Sequence, residues 1–354
     1  MSSTDIVRDI RTLTQTKLLP VVPKKWLSQF RFGLNAFGLR PFQSAGSNAR
    51  SVVANANTAA TKSDRLLANV RLAEQLASVC DALCCVKQSS FVNIDHSDMH
   101  GLTALVGAVQ TGKGRAIPCM VETTYALQIP AHSDRPRIQY LRRAMKRARS
   151  TQSFTGHTID ALQTMADRLG FWPKLVFDRG FGNESIVTHL SAEGCTFYIR
   201  MKAGRFVELG DQKTEIKQLD AKDATVRLFG LTLRVIRSPK SRRAPEPWYI
   251  LTNDMASSRT KIVKIYYHRF EIEETFKDIK HIFEYKRTRL TKPNSLKILL
   301  WFVSIGIALL YIVTKPTRQA IRATNPKKQT SWLRQAYEQL QQAYGLLLWG
   351  DSTE

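Results

Sequence analysis

Acidic residues are scarce in this sequence, which has 29 Asp and Glu residues against 53 Lys and Arg residues. The formal net charge is therefore +24. Such an excess of positive charge predicts a polyanionic partner, either nucleic acid or an anionic membrane surface. Hydrophobic residues make up 43% of the chain, which excludes intrinsic disorder and leaves a folded protein.

Cysteines are few and odd in number, because the chain has five of them. This count excludes a disulfide framework and predicts a reducing compartment. Cys80, Cys84 and Cys85 lie in an apolar helical pattern with no second Cys or His pair at zinc spacing, so we interpret them as core residues. The N-terminus lacks an apolar segment of the kind that secretory signals contain, and we therefore expect a cytoplasmic protein.

A long hydrophobic run is also missing, since the longest stretch covers only residues 298–313. A membrane-spanning helix needs about 20 apolar residues, so this stretch predicts a buried core helix instead. A membrane-associated basic protein remains an alternative, which extraction without detergent would exclude.

The pattern of apolar residues divides the 354-residue chain into five regions. Residues 1–88 are predicted to form helices, and residues 89–202 alternate strands with helices. Residues 203–247 consist of short strands separated by polar turns, residues 248–313 return to core-like elements, and residues 314–354 are basic and predicted to be helical. The sequence Gly-x4-Gly-Lys-Gly at 107–114 resembles a phosphate-binding loop, but it lacks the Ser or Thr that holds magnesium and is interpreted as a hairpin turn.

Three acids stand at positions where they can act together. Asp95 and Asp178 each follow an apolar strand-like segment, and Glu273 lies in a helical segment. Acids at the ends of adjacent strands can converge at one edge of a sheet, and three carboxylates there would bind two divalent cations. Asp98 is an alternative to Asp95 as the first of these three acids in the chain. Asp95 is preferred because it stands at the predicted strand end, whereas Asp98 lies beyond it.

The segment 264–280 is predicted to be a single helix. Tyr266, Arg269, Glu273 and Lys280 fall within an arc of roughly 60° on its surface. A carboxylate among cations suits a metal ion and phosphate groups. Taken alone, the same charges are also typical of a solvated helix face.

Two motifs together resemble those of bacterial insertion-sequence transposases of the DDE type. They are Phe177-Asp-Arg-Gly-Phe181 and Tyr266-x2-Arg269-x3-Glu273-x6-Lys280, and the second is the Y-R-E-K signature of insertion-sequence family four. Asn93-Ile94-Asp95 fits the first acid of that pattern. The resemblance covers residues 89–313 and implies an α/β fold, with an RNase H-like core of a mixed five-stranded sheet flanked by helices. It also implies a mostly β insertion, which would be residues 203–247.

The resemblance assigns roles to residues of this chain. Asp95, Asp178 and Glu273 would be the catalytic acids and ligands of two Mg²⁺ ions, with Mn²⁺ as an alternative. Tyr266, Arg269 and Lys280 would contact DNA phosphates, and Arg179 is a further candidate because it follows Asp178.

The family activity is cut-and-paste transposition, in which cleavage at the element ends precedes strand transfer into target DNA. The implied partners are double-stranded DNA with terminal inverted repeats, target DNA and a second copy of the chain. By analogy, the helices of residues 1–88 recognise the repeat, and Trp248 either receives a flipped base or belongs to the core. A non-catalytic DNA-binding protein or repressor derived from a transposase is the alternative.

Overall fold

The computed structural model describes residues 3–39, 55–99, 101–125, 139–141, 143–144, 146, 153–239, 246–285, 290–314, 333–334, 336–338 and 340. A strongly basic stretch, residues 135–149, predicts either contact with the DNA backbone or a basic face without a specific partner. Most of it lies outside the described residues.

A three-stranded antiparallel meander opens the sheet. Its strands are β1 (Phe91–Met99), β2 (Leu102–Val109) and β3 (Ile117–Tyr125). The phosphate-loop-like sequence falls on the end of β2 and on the turn between β2 and β3, so it forms a hairpin as predicted. Gly112 and Gly114 have φ angles of +67° and +84° in this turn, which only glycine adopts without strain.

Two parallel strands extend the meander, β4 (Lys174–Phe177) beside β1 and β5 (Phe197–Met201) beside β4. Helix α5 (Phe154–Leu169) precedes β4, and α6 (Glu184–Ala192) connects β4 to β5. Ser153 caps α5 by accepting the Gly156 N–H, and Gly170 ends that helix at a φ of +75°. The apolar faces of α5 and α6 share a core with Val92, Ile94 and Phe177.

The second half of the sheet has five strands, of which the first four belong to the region predicted as an insertion and the last belongs to the region that follows it. Its strands are β6 (Phe206–Leu209), β7 (Gln212–Glu215), β8 (Asp223–Leu228), β9 (Leu231–Arg237) and β10 (Tyr249–Thr252). Within the described residues they continue the core into one ten-stranded sheet, in the order β3-β2-β1-β4-β5-β10-β9-β8-β6-β7. The predicted strands are present, and β1 to β5 form a mixed five-stranded half of the sheet. The strands of the predicted insertion extend this half instead of forming a sheet of their own, because β10 pairs with both β5 and β9.

The helices of the N-terminal region are α1 (Ser3–Leu13), α2 (Leu27–Gly33), α3 (Ala56–Ala68) and α4 (Val70–Cys84). A π-helical turn, Leu34–Gly38, continues α2. They pack around α9 (Pro293–Val313), and their apolar side chains share one cluster with β2 and β3. The helices predicted for 1–88 are therefore part of the main body and do not form a core of their own.

Helix α9 is the one described helix that is long and apolar enough to cross a membrane. Its most apolar window is 83% buried within the protein. A helix that is apolar on all sides needs cover on all sides, and the N-terminal helices together with β3 supply it. The prediction of a buried core helix for 298–313 is therefore confirmed.

An ion pair ties the N-terminal helices to the sheet-covering helices. Arg168 of α5 contacts Asp81 of α4 at 2.5 Å and also donates to the carbonyl oxygen of Cys119. Burial raises the pKa of Asp81 to about 6, although the charge and hydrogen bond of Arg168 lower it. Because the folded-state pKa is above the ordinary 3.8, the free energy of unfolding falls as the pH rises through this window.

Replacing Arg168 with Met is expected to destabilise the protein by about 3 kcal/mol at pH 8, because the Asp81 carboxylate is then buried without its partner. The pKa of Asp81 rises further in this variant, so the loss shrinks at pH 5, where the carboxyl takes up a proton. Urea unfolding at both pH values measures the difference. An equal loss at pH 5 and pH 8 would exclude Asp81 as its cause, and the Asp81→Asn, Arg168→Met double variant serves as control.

Candidate active site

The parallel register of β1 and β4 brings the first two acids together. Ile94 is aligned with Phe177 as the last parallel pair, so Asp95 and Asp178 come next on neighbouring strands. Asp95 does not end β1, which continues to Met99 in antiparallel pairing with β2. Asp95 and Asp178 are thus adjacent at the end of the parallel ladder, although the predicted strand end after Asp95 is wrong.

Alternation along the strands decides which face carries the acids. Ile94 and Phe177 pack against α5 and α6, so the residues before and after them point to the opposite face. That face is covered by α7 (Arg259–Tyr267) and α8 (Phe270–His281). Asp98 is three residues from Asp95 and faces the other way, where it accepts a hydrogen bond from Thr103 Oγ1 at 2.5 Å.

The predicted single helix 264–280 consists of α7 and α8, separated at His268 and Arg269. No Pro or Gly marks this break in the sequence. Arg269 immediately precedes α8, and its guanidinium Nη1 lies 3.4 Å from Asp95 Oδ2. Its Nη2 contacts Glu273 Oε1 one turn along α8. Arg269 therefore joins two of the acids and is itself only 3% exposed.

The electrostatics link all three acids to this guanidinium. Burial raises the pKa of Asp95 to about 6, the Arg269 charge and the His96 N–H lower it, and the charges of Asp178 and Glu273 raise it. Burial acts to lower the pKa of Arg269, but Tyr266, Glu273 and Asp178 raise it overall. The guanidinium stays charged and is the cation that stabilises a group of like-charged carboxylates.

The turn after β4 holds Asp178 in place. Phe181 is buried in this turn and stacks on His96 with 4.7 Å between ring centroids, while Phe177 lies 5.3 Å from it. Arg179 and Gly180 are exposed on the other side of the turn. The predicted motif thus combines an acid, an exposed arginine and an aromatic anchor.

Residues 153–310 match the family model described as Transposase DDE domain. This supports a DDE-type transposase. Asp178 and Glu273 lie inside the matched segment, whereas Asp95 precedes it. No curated protein matches the chain. The matched segment thus contains two of the three predicted acids, and the register of the sheet puts the third, Asp95, beside Asp178.

The other predicted DNA-binding residues of the matched segment differ in their exposure. Arg179 is exposed, and Lys280 is partly exposed two turns beyond Glu273 on α8. Tyr266 is fully buried, with its hydroxyl beside Arg269, and forms no hydrogen bond of good geometry with a described residue. As it stands, Tyr266 does not reach a surface where DNA could contact it.

Trp248 is a core residue. It is 8% exposed and packs against Tyr266 and Phe270, with ring centroids 5.3 Å and 5.5 Å away. Its ring faces are already covered, so the arrangement favours the core interpretation over a flipped base.

A polar network that the sequence did not single out holds α7 and α8 against the sheet. Asn93, on the same face of β1 as Asp95, donates to the carbonyl oxygen of His268 at 3.0 Å. Gln110 donates to Asn93 Oδ1 and to the carbonyl oxygen of Ile265. The only sign of this network in the sequence is Asn93, a polar residue two positions before Asp95 in an apolar strand. Its hydrogen bond to His268 holds the junction between α7 and α8 against the sheet.

Glu271 is a second residue whose role was missed, because it looked like a neighbour of Glu273 without a function. It is 4% exposed and accepts backbone N–H groups of Thr111, Gly112 and Gly114. His268 Nδ1 also lies 3.1 Å from it. The carboxylate therefore attaches α8 to the β2–β3 turn and sets the position of Glu273.

The Glu271→Gln variant is expected to lose about 2 kcal/mol of unfolding free energy, because one oxygen becomes an amide that cannot accept the turn N–H groups. Urea unfolding measures this loss. Glu274→Gln is the matched control on the same helix, since Glu274 forms surface ion pairs that contribute about 0.5 kcal/mol. Equal losses in the two variants would show that the turn does not depend on Glu271.

The donor set of Asp95, Asp178 and Glu273 fits a divalent cation, since carboxylates are the hard oxygen ligands that Mg²⁺ prefers. Among the residues that the structure describes, no three such side chains lie close enough together to hold an ion as they stand. The Arg269 guanidinium lies between Asp95 and Glu273 and supplies there the positive charge that a metal ion would supply. Binding of an ion would therefore require Arg269 to release these carboxylates.

Proposed function

We propose that the chain is a DNA transposase that excises an insertion sequence and transfers it to new DNA, by cleaving strands at the element ends. The observation that carries this proposal is the pairing of Arg269 with both Asp95 and Glu273, together with the strand register that puts Asp178 beside Asp95 at the end of the parallel ladder. The match of residues 153–310 to the transposase DDE domain supports the same activity.

The three acids would hold two Mg²⁺ ions, with Mn²⁺ as an alternative. Bound ions of this kind activate the attacking oxygen and stabilise charge on the phosphate. Asp95 and Asp178 come from the rigid centre of the sheet, whereas Glu273 is attached through α8 and the Glu271 contacts. The chain thus contributes one acid within a paired strand, one directly after the neighbouring strand and one whose position depends on a helix.

Arg269 would bind a DNA phosphate once it leaves the carboxylates. A guanidinium offers paired N–H donors that match phosphate as well as carboxylate. Arg179 beside Asp178 and Lys280 farther along α8 would supply further phosphate contacts, while Tyr266 supports Arg269 from below. Exchange of carboxylates for phosphate at Arg269 would couple DNA binding to metal binding.

The partners in this proposal are double-stranded DNA with terminal inverted repeats, the target DNA and a second copy of the chain in the active complex. The N-terminal helices would recognise the repeat, and the chain would act in the cytoplasm beside the bacterial nucleoid. The net charge of +24 supports a polyanionic partner.

The proposal is tested by incubating the full-length protein with a labelled DNA fragment that carries an end of its own element. Cleavage is expected with Mg²⁺ or Mn²⁺ and not with EDTA, and Glu273→Gln is expected to cleave roughly a thousandfold more slowly. Glu274→Gln is the matched control and should retain activity. Cleavage by Glu273→Gln at the wild-type rate would contradict the assignment.

A non-catalytic DNA-binding protein or repressor is the second candidate function. The ion pairs of Arg269 with Asp95 and Glu273 favour it, because an arginine that stays in place would neutralise the acids permanently. Specific binding to the element end by the wild-type protein, without cleavage in either metal, would support this candidate.

A further inference from the structure

A cleft of about 890 Å³ begins one residue after Asp178. It lies between the turn that follows β4, the end of β5, and the strands β6, β7 and β8. The acidic cluster does not include this cleft, but Arg179 belongs to its wall and stands next to the cluster in the chain. The cleft and the candidate active site are thus linked by two consecutive residues, Asp178 and Arg179.

The walls of the cleft carry a strong excess of positive charge. Five cations line it against one acid, Glu208, and these cations are Arg179, Lys202, Arg205, Lys213 and Arg227. Within the described part of the chain, none of the five forms an ion pair with a carboxylate, and four of them are exposed. Arginines elsewhere, such as Arg115 and Arg234, are paired with acids. An anionic ligand would balance this charge.

Two aromatic rings stand among these cations. Phe206 on β6 is 48% exposed, and Lys213 Nζ lies 5.7 Å from its ring centroid. Phe229 is half-buried, and the Arg205 guanidinium lies 5.3 Å from its ring centroid. Cations next to aromatic rings are typical of surfaces that bind phosphates and stack bases.

The backbone at Phe229 is unfavourable for the residue that it carries. Phe229 and Gly230 form the two-residue turn between β8 and β9, with φ angles of +56° and +76°. Such turns favour Asn, Asp or Gly at the first position, and a bulky side chain there is strained. The strain places an aromatic ring on the wall of the cleft, which links it to a role in binding.

We infer that this cleft binds a single strand of DNA, with bases stacked on Phe206 and Phe229 and phosphates held by the five cations. Paired bases in a duplex stack on one another and offer no free face to these rings, so the cleft selects an unpaired strand. The inference rests on the proposed function in one respect: the strand is taken to come from the DNA on which the acidic cluster acts.

The test measures binding of the full-length protein to a fluorescein-labelled 20-nucleotide strand, roughly the length that one or two such sites cover, and to its duplex, by anisotropy in EDTA. The Phe206→Ala variant is expected to bind the single strand roughly tenfold more weakly, with the duplex affinity changed less than about twofold. Leu209→Ala is the matched control, because Leu209 is 47% exposed on the same strand and does not line the cleft.

The phosphate contacts are tested by the salt dependence of single-strand binding. In Arg227→Gln, the slope of log affinity against log salt concentration should become shallower by about 0.7, because one phosphate contact is lost. The exposed Lys222→Gln variant should keep the wild-type slope.

Equal effects of Phe206→Ala and Leu209→Ala on the single strand, or equal losses for strand and duplex, would overturn the inference. Because the assay contains no metal ion, its outcome is independent of cleavage. Wild-type protein that binds the strand in this way but never cleaves DNA would refute the proposed function alone. If the wild-type protein cleaves DNA but Phe206→Ala binds the single strand as tightly as the wild type, only the inference about the cleft is refuted.

Discussion

The Asp95→Asn variant is expected to cleave element-end DNA at least roughly a thousandfold more slowly than the wild-type protein, while Asp98→Asn stays within about twofold. The physical reason is strand alternation, which places these two aspartates on opposite faces of β1. Asp95 lies 3.4 Å from Arg269, and burial and the charges of Asp178 and Glu273 raise its pKa, whereas Asp98 bonds to Thr103 on the other face. An amide keeps the size of the side chain but is a weaker ligand for a divalent ion than a carboxylate.

Rates with labelled DNA in Mg²⁺ measure this prediction, and equal thermal unfolding of the variants would exclude a folding defect. The neighbouring aspartate is a demanding control, because the two changes remove the same charge three residues apart. A large loss in Asp98→Asn with normal activity in Asp95→Asn would reverse the assignment of the first acid.

The Gly306→Ala variant is expected to lose about 3 kcal/mol of unfolding free energy, the largest stability effect that a single added methyl group should have here. A Cβ atom at position 306 of α9 would lie 1.9 Å from the backbone oxygen of Gly38. The main chains of α9 and of the Leu34–Gly38 turn would have to move apart. Gly33 and Gly38 make similarly close contacts with Phe302, so the N-terminal helices would lose their fit on α9.

Urea unfolding of Gly306→Ala measures this effect, and Gly180→Ala is the control, since a Cβ atom at position 180 meets nothing within 4 Å. The control is expected to leave stability unchanged or slightly raised, because alanine restricts the unfolded chain. Limited proteolysis of the N-terminal helices should accelerate only in Gly306→Ala. Unchanged stability of that variant would contradict the close contact of α9 with the turn.

The three candidate acids could be selected from the sequence because each of them stands in a recognisable local pattern. Asp178 follows an apolar strand directly, and Glu273 shares a helix face with Arg269. The register that places Asp95 beside Asp178 could not be predicted, since an alternating strand does not identify its partner. For the same reason, the strands after β5 could be predicted from the sequence, but their pairing into one sheet with the first five strands could not.

Helix continuity and burial were harder to predict than the elements themselves. The break at His268 and Arg269 contains no helix-breaking residue, and it is imposed by contacts of the backbone with Asn93 and Gln110. A helical wheel separates Glu273 from Glu271 but could not show what Glu271 binds, because its partner N–H group at Thr111 lies 160 positions earlier in the sequence. The sequence thus shows which polar residues stand in these segments, and the structure shows which groups they bind.

The most direct test of the shared acidic site is metal-directed cleavage of the polypeptide itself. Fe²⁺ placed in a Mg²⁺ site produces hydroxyl radicals with ascorbate and peroxide, and these cut the backbone beside the ligands. With DNA present to take up Arg269, we predict fragments that end near Asp95, Asp178 and Glu273 together, suppressed by excess Mg²⁺. Cuts near only one of these residues, or none that Mg²⁺ suppresses, would contradict a common metal site.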